Sequence, residues 1–398
     1  MRQMKKQTLT FALLAASVAA TAQVTEQKPY WAQADTLCAK LMTMDTHNHI
    51  DVPMMTENMP GPRVDLRTAM KKAGMSAIGM TFAVDYVQPL KEGQEYERFV
   101  NAMTAQDSIL RWSGLRLTLS AKEMLQRFEA GEPVVIQCVE GGHFLEGDIS
   151  RMKEAYDRGL RVFCLLHDHN ANHPLGDVYT EEPKFGGLTT LGAEAIRECE
   201  RLGILVDLAH CDSATIAQAL EVATRPVLIS HTGLSTRLGS NEFMGKMMHP
   251  RLITPAQARM VAAKGGVIGI WPHLASSPEE YASNIRAMVD IVGIDHVCIG
   301  TDSKITPEYQ EMTDEMRERF QKEQAKREAE RKAKGEKEGP RPQFQPRNPN
   351  AANHEWGQEP DNFYHSVIRC LLAEGFNAGE IEKIVSGNFF RVFSEATK

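Results

Sequence analysis

His47 and His49 stand two residues apart in the run Asp45-Thr46-His47-Asn48-His49. In a regular strand alternate side chains share a face, so both imidazoles can reach one metal ion. Glu140, followed by Gly141-Gly142, offers two carboxylate oxygens to two ions, and the glycines permit close backbone approach. His210 and His231 would complete the second ion's shell. Imidazole with carboxylate suits zinc, and two ions that share a hydroxide lower its pKa, which is the chemistry of metal-assisted hydrolysis. Asp302 is either a further ligand or the group that takes the hydroxide's proton and delivers it to a departing nitrogen.

Residues this far apart need a scaffold that gathers them. Apolar runs at 42–46, 75–83, 134–138, 161–166, 204–208, 226–230, 266–270 and 297–301 predict eight strands, separated mostly by helix-length segments. Runs without polar alternation belong to strands covered on both faces, and eight βα units are what a closed parallel barrel needs. The intervals 191–203, 213–223 and 255–264 have the length and apolar spacing of outer helices, and Thr254-Pro255 reads as a helix start. His47, His49, Glu140, His167, His210, His231 and Asp302 fall at the ends of six of the eight runs. In such a barrel all C-terminal strand ends open onto one face, so these residues converge. The expected fold is therefore α/β, a (β/α)8 TIM barrel with a C-terminal helical extension and a long charged insertion after strand 8.

The 398 residues carry 45 Lys+Arg against 52 Asp+Glu, a formal charge of -7, which speaks against a nucleic-acid binder. Beyond position 30 no apolar run reaches the 18 or more residues of a membrane span. Arg2, Lys5 and Lys6 precede the apolar stretch Leu9 to Ala20, and Ala20-Thr21-Ala22 supplies a small-x-small cleavage pattern. Residues 1–22 are thus expected to be a signal peptide and 23–398 one barrel domain, exported to the periplasm or secreted. Without those three cations the chain carries about -10. No cysteine follows Ala22, against a lipidated N-terminus. The seven cysteines are odd in number and scattered, which suits packing with room for one disulfide. The insertion, 303–360, holds 9 acidic and 9 basic residues between 311 and 340, then a stretch rich in proline and asparagine. That composition predicts a solvated helix leading into a loop at the catalytic end.

Seven motifs occur in one order: Asp45-Thr46-His47-Asn48, Val139-Glu140-Gly141-Gly142-His143, Leu165-Leu166-His167, Asp207-Leu208-Ala209-His210, Ile229-Ser230-His231, Gly300-Thr301-Asp302 and Gly387-Asn388-Phe389-Phe390-Arg391-Val392. Through them the chain resembles the membrane dipeptidase family of metal-dependent barrel hydrolases, from about 40 to 300 and again from about 362 to 393. The resemblance implies two zinc ions bridged by Glu140, with His47 at one and His210 and His231 at the other. It implies that His167 faces the substrate carbonyl or tetrahedral intermediate, that Arg251 holds the substrate's terminal carboxylate, and that Asp302 carries the proton. Arg237 is a second candidate for the work of Arg251. The implied substrate is a small dipeptide, including one with a D-residue at its C-terminal position, and the implied assembly is a homodimer.

Two features depart from the family pattern. His49 stands where the family has a carboxylate, which adds about one positive charge to the centre and opens specificity toward acylated or otherwise unusual amides. After Asp302 the family's second acidic residue is missing, and Ser303-Lys304 starts the insertion instead. His143 is expected behind Glu140 rather than on a metal, whereas His169, His173 and His273 are within range of the active face without an assigned role. Two alternatives stand beside the dipeptidase: a metal-dependent amidase or lactam hydrolase with shifted specificity, and a non-catalytic barrel that binds a small ligand.

Overall fold

The computed structural model describes residues 30–85, 91–307, 309, 322 and 353–398. Eight parallel strands follow one another in chain order: β1 (Met44–His49), β2 (Ala77–Thr81), β3 (Val134–Glu140), β4 (Leu160–Cys164), β5 (Leu205–Asp207), β6 (Leu228–Thr232), β7 (Val267–Ile270) and β8 (Val297–Ile299). The ring closes just beyond β8, where the His49 N–H donates to the Ser303 carbonyl at 2.8 Å and the Asp302 N–H donates to that of His47 at 3.0 Å. Every strand residue is buried except half-buried His49, which is why the runs lack polar alternation.

Three outer helices lie where their apolar spacing placed them: Thr190–Leu202, Ser213–Val222 and Pro255–Ala263. The last begins with a full capping box between Thr254 and Gln257, with Pro255 in the first turn. Strand boundaries moved where site residues sit. β1 runs on through His49 because Asn48 and His49 pair with Met80 and Thr81 of β2. β8 stops at Ile299 because Asp302 turns into the left-handed region, φ 52°.

The C-terminal extension is helical, over Phe363–Ala373, Ala378–Glu382 and Asn388–Ala396. Phe389, Val392 and Phe393 of the last helix pack with Met44, Ala77, Val134, Leu205, Leu228 and Val267, at the entry ends of the strands. This stopper closes the N-terminal mouth, leaving the opposite end for chemistry. All seven cysteines are free thiols, so the room for a disulfide is not used; Cys138, Cys164 and Cys298 lie in β3, β4 and β8 as expected. The predicted signal peptide and, apart from Lys322, the predicted charged helix at 311–340 lie outside the described residues. At the described ends of the 303–360 segment Ser303 and Asn353 are buried, and the Trp356 Nε1–H donates to the Ala275 carbonyl at 3.1 Å. Among the described residues no helix is long and apolar enough to cross a membrane.

Candidate metal centre

Glu140 ends β3 at the centre of the open mouth, fully buried, and neither carboxylate oxygen receives a conventional hydrogen bond. Five imidazole Nε2 atoms surround it instead. Oε1 lies 2.7 Å from His210, 3.5 Å from His47 and 3.6 Å from His231. Oε2 lies 3.2 Å from His49 and 3.4 Å from His167. Asp302 Oδ1 approaches the His49 Nε2 at 3.1 Å. Nε2 atoms of His47 and His49 are 3.3 Å apart. Two zinc–nitrogen bonds at a tetrahedral angle would separate their nitrogens by about 3.3 Å. The donors fall into three overlapping groups, His47/Glu140/His231, His47/His49/Asp302 and Glu140/His167/His210, with ligand atoms within 4.8 Å of one another in each. A buried carboxylate without donors, ringed by imidazoles, fits two divalent cations.

Neighbouring groups orient these rings. One hydroxyl, Ser230 Oγ, lies 3.2 Å from His47 Nδ1 and 2.9 Å from His231 Nδ1, which directs both Nε2 atoms inward. Asp207, beneath the site, accepts from the Ala209 and Ser230 N–H groups at 3.0 and 2.9 Å. Asp45 accepts from the backbone N–H and side-chain hydroxyl of Thr301 at 2.9 and 2.7 Å, tying β1 to the end of β8. Asp85 accepts from His167 Nδ1 at 2.5 Å, and His273 Nε2 lies 3.2 Å from Asp302 Oδ2. His210 and Asp302 both have positive φ, 64° and 52°, a strained conformation for residues with a side chain, kept here at two site positions. A Cβ at Gly141, φ 88°, would come within 2.8 Å of His143 Nδ1, so the residue after Glu140 must be glycine.

Burial and pairing pull the charges in opposite directions. Burial raises the Glu140 pKa, yet the charges of His167, His47 and His210 carry it well below the usual carboxylate range. Burial disfavours a charged His49, but its close contacts with the Asp302 and Glu140 carboxylates outweigh it and push the ring up to about 10. His210, under the same penalty, is pushed up to about 10 by Glu140 and Asp168. His231 moves well below its ordinary value, through burial and then the charge of His47. Asp302, although burial opposes it, is held low by His231, His273 and His49.

All seven residues predicted from strand ends come together here. Arg251 is close by, beyond β6, where its Nη2 donates to Asp168 Oδ2 at 2.5 Å. It lines a cavity of about 340 Å³ beside the metal cluster, with Tyr179, His210, His231, Thr254 and Trp271. Arg237 is not among the residues lining that cavity. Asp51 is held by Lys304 at 2.8 Å and does not replace a carboxylate at 49. His143 departs from its expected place behind Glu140, because its Nε2–H donates to the His169 carbonyl at 2.9 Å and braces the loop after β4. His273 joins the site through Asp302. Sequence reasoning missed Asp85, Asp168 and Tyr179, and gave no role to Ser230. Asp85 follows the second predicted strand closely, a positional signal that could have found it; Asp168 adjoins a predicted site residue, but nothing local marks Tyr179.

A closed parallel barrel with imidazoles and carboxylates gathered at its C-terminal mouth defines a metal-dependent hydrolase barrel with a binuclear centre. The chain belongs to the membrane dipeptidase family, peptidase family M19, whose sequence model matches residues 31–328. It is 30% identical over 194 residues to dipeptidase verJ of Clonostachys rogersoniana, 47% of each chain. The matched parts span about half the length of the curated relatives. Among solved structures it is similar to the probable dipeptidase PvdM from Pseudomonas aeruginosa, with TM-score 0.67 and 14% identity over 93% of this chain and 99% of that one. A metallo peptidase from Rhodobacter sphaeroides, liganded with a phosphinate mimic of the dipeptide L-Ala-D-Ala, gives TM-score 0.62 and 16% identity over 89% and 99%. At these identities the structural likeness shows the fold.

Proposed function

We propose that the protein is a zinc-dependent dipeptidase that hydrolyses the peptide bond of small dipeptides, including those with a D-residue at the C-terminal position. The observation that carries this reading is Glu140, a buried carboxylate with no hydrogen-bond donor and five imidazole nitrogens around it. Glu140 would lie between two cations, His47 and His49 holding one and His210 and His231 the other; cations there polarise a carbonyl and acidify an attacking water. His167, fixed through Nδ1 by Asp85, turns Nε2 toward the cluster and would donate to the oxygen on which negative charge develops. Asp302 would accept the proton of the attacking water and pass it to the departing amine as the C–N bond breaks. Arg251 would pair with the substrate's terminal carboxylate at the cavity wall. The mimic-bound relative supports a dipeptide as the substrate class.

His49 favours a second reading, an amidase or lactam hydrolase, because an imidazole replaces an anion that could face a substrate's ammonium. Metal analysis combined with a panel of L,L- and L,D-dipeptides, free or N-acylated, separates the two. About two zinc ions per chain and zinc-dependent cleavage of free dipeptides are expected; cleavage of acylated or lactam substrates alone would reject the dipeptidase. We further read residues 1–22 as a secretion signal, so the exported chain should begin at Gln23 on N-terminal sequencing.

A further inference from the structure

Asp168 directly follows His167 on the loop after β4, with its side chain only a quarter exposed. Its two oxygens serve different parts of the site. Oδ2 accepts from Arg251 Nη2 at 2.5 Å. Oδ1 accepts the Tyr179 O–H at 2.9 Å and lies 3.3 Å from His210 Nδ1. The Tyr179 oxygen is itself 2.7 Å from that Nδ1, and its ring stacks on His210 with centroids 5.2 Å apart and planes 24° apart. The Arg251 guanidinium carbon is 5.6 Å from the centroid of the same tyrosine ring.

One proton order satisfies every contact along this chain. A carboxylate is acceptor only, so the Tyr179 hydroxyl donates to Asp168, and its oxygen is left to accept from His210 Nδ1–H. A neutral ring protonated on Nδ1 has its Nε2 lone pair free, and Nε2 is the atom that faces Glu140. On the other side, Asp168 engages one nitrogen of the Arg251 fork, which leaves the remaining donors to a planar carboxylate.

We propose that Asp168 is a positioning residue with two outputs: it sets the Arg251 guanidinium for a substrate's terminal carboxylate, and through Tyr179 it fixes the His210 tautomer that offers Nε2 to a cation. The first output rests on the dipeptidase reading; the second requires only that the site binds metal. Asparagine cannot reproduce the arrangement, because its side chain has one acceptor oxygen where Asp168 offers two to Arg251 and Tyr179.

The test uses the mature protein with Asp168→Asn, Asp168→Ala and Tyr179→Phe. Zinc affinity is measured by competition with a chromophoric chelator. KM and kcat are then measured at saturating zinc on one dipeptide and on its C-terminal amide, which lacks the carboxylate. Both Asp168 variants are expected to raise KM for the free acid by about tenfold or more while KM for the amide stays within about twofold. Asp168→Ala and Tyr179→Phe are expected to weaken zinc binding about tenfold or more. Tyr179→Phe should keep the parental preference for acid over amide. A parental zinc affinity in Asp168→Ala would overturn the tautomer role. A KM for the free acid that is unchanged or lower would overturn the arginine role, the lower value marking Asp168 as a competitor of the substrate. Should the parent cleave no dipeptide, the dipeptidase reading fails by itself, and the chelator measurement still decides whether Asp168 positions His210.

Discussion

Removing one hydroxyl, by Ser230→Ala, is expected to weaken both metal positions together. Ser230 Oγ lies 3.2 Å from His47 Nδ1 and 2.9 Å from His231 Nδ1, and although both rings approach Glu140 Oε1, we assign them to different cations. When each Nε2 is given to a cation, each ring carries its proton on Nδ1, and a hydroxyl oxygen has two lone pairs to receive both. Alanine leaves two buried N–H groups without an acceptor, since both rings are almost completely buried. An unsatisfied buried donor costs about 1–3 kcal/mol, so the loss of metal affinity should reach at least about fivefold at each position and about a hundredfold where the ring cannot turn to water. Chelator competition on the purified variant reads both dissociation constants, and circular dichroism checks that the barrel remains folded. Two parental affinities in a folded Ser230→Ala protein would refute the claim that this hydroxyl orients the ligands.

Metal binding should release protons. His49 and His210, both raised to about 10, hold protons at neutral pH that a cation must displace. Because their folded values lie above the unfolded value of about 6.5, the stability their pairing with Glu140 contributes is full below about 6.5 and is lost as pH rises toward 10. Zinc affinity should accordingly increase across that window, and titration calorimetry in buffers of different ionisation enthalpy should show net proton release near pH 7; no release would contradict the assigned charges. Asp85→Ala should lower kcat about 10- to 100-fold with little change in KM, because it frees His167 to turn while leaving the substrate-carboxylate contact intact; a change confined to KM would remove His167 from oxyanion stabilisation. Phe393→Ala empties part of the stopper below the strands, where Phe393 is fully buried against Phe389, and should cost about 3–5 kcal/mol in denaturant unfolding with zinc content per folded chain unchanged.

The barrel and most of the ligand set were legible in the linear chain for one physical reason. A strand covered on both faces must be apolar throughout, so a histidine or carboxylate at its end stands out, and the fold sends every such end to the same mouth. His47, His49, Glu140, His167, His210, His231 and Asp302 were all visible in this way. Thr254-Pro255 was visible because helix capping is local. His49 also announced its departure from the family pattern by its residue type alone.

What the chain could not disclose are relations between loops. Asp168 and Tyr179 lie eleven residues apart on the connection after β4 and Arg251 on the connection after β6, and their common contact depends on how these two loops fold over the mouth. His143 looked like a brace for Glu140 from its spacing, but the tight turn at Gly141 sends it to the His169 carbonyl. Ser230 was quoted as part of a motif, yet only the inward packing of β1 against β6 shows that its one oxygen reaches two rings. The sequence by itself determined which strands form and which ligand types end them, because burial and strand geometry are local constraints. Tertiary structure decided which charges meet and which proton each histidine keeps, because those depend on side chains brought together from distant loops.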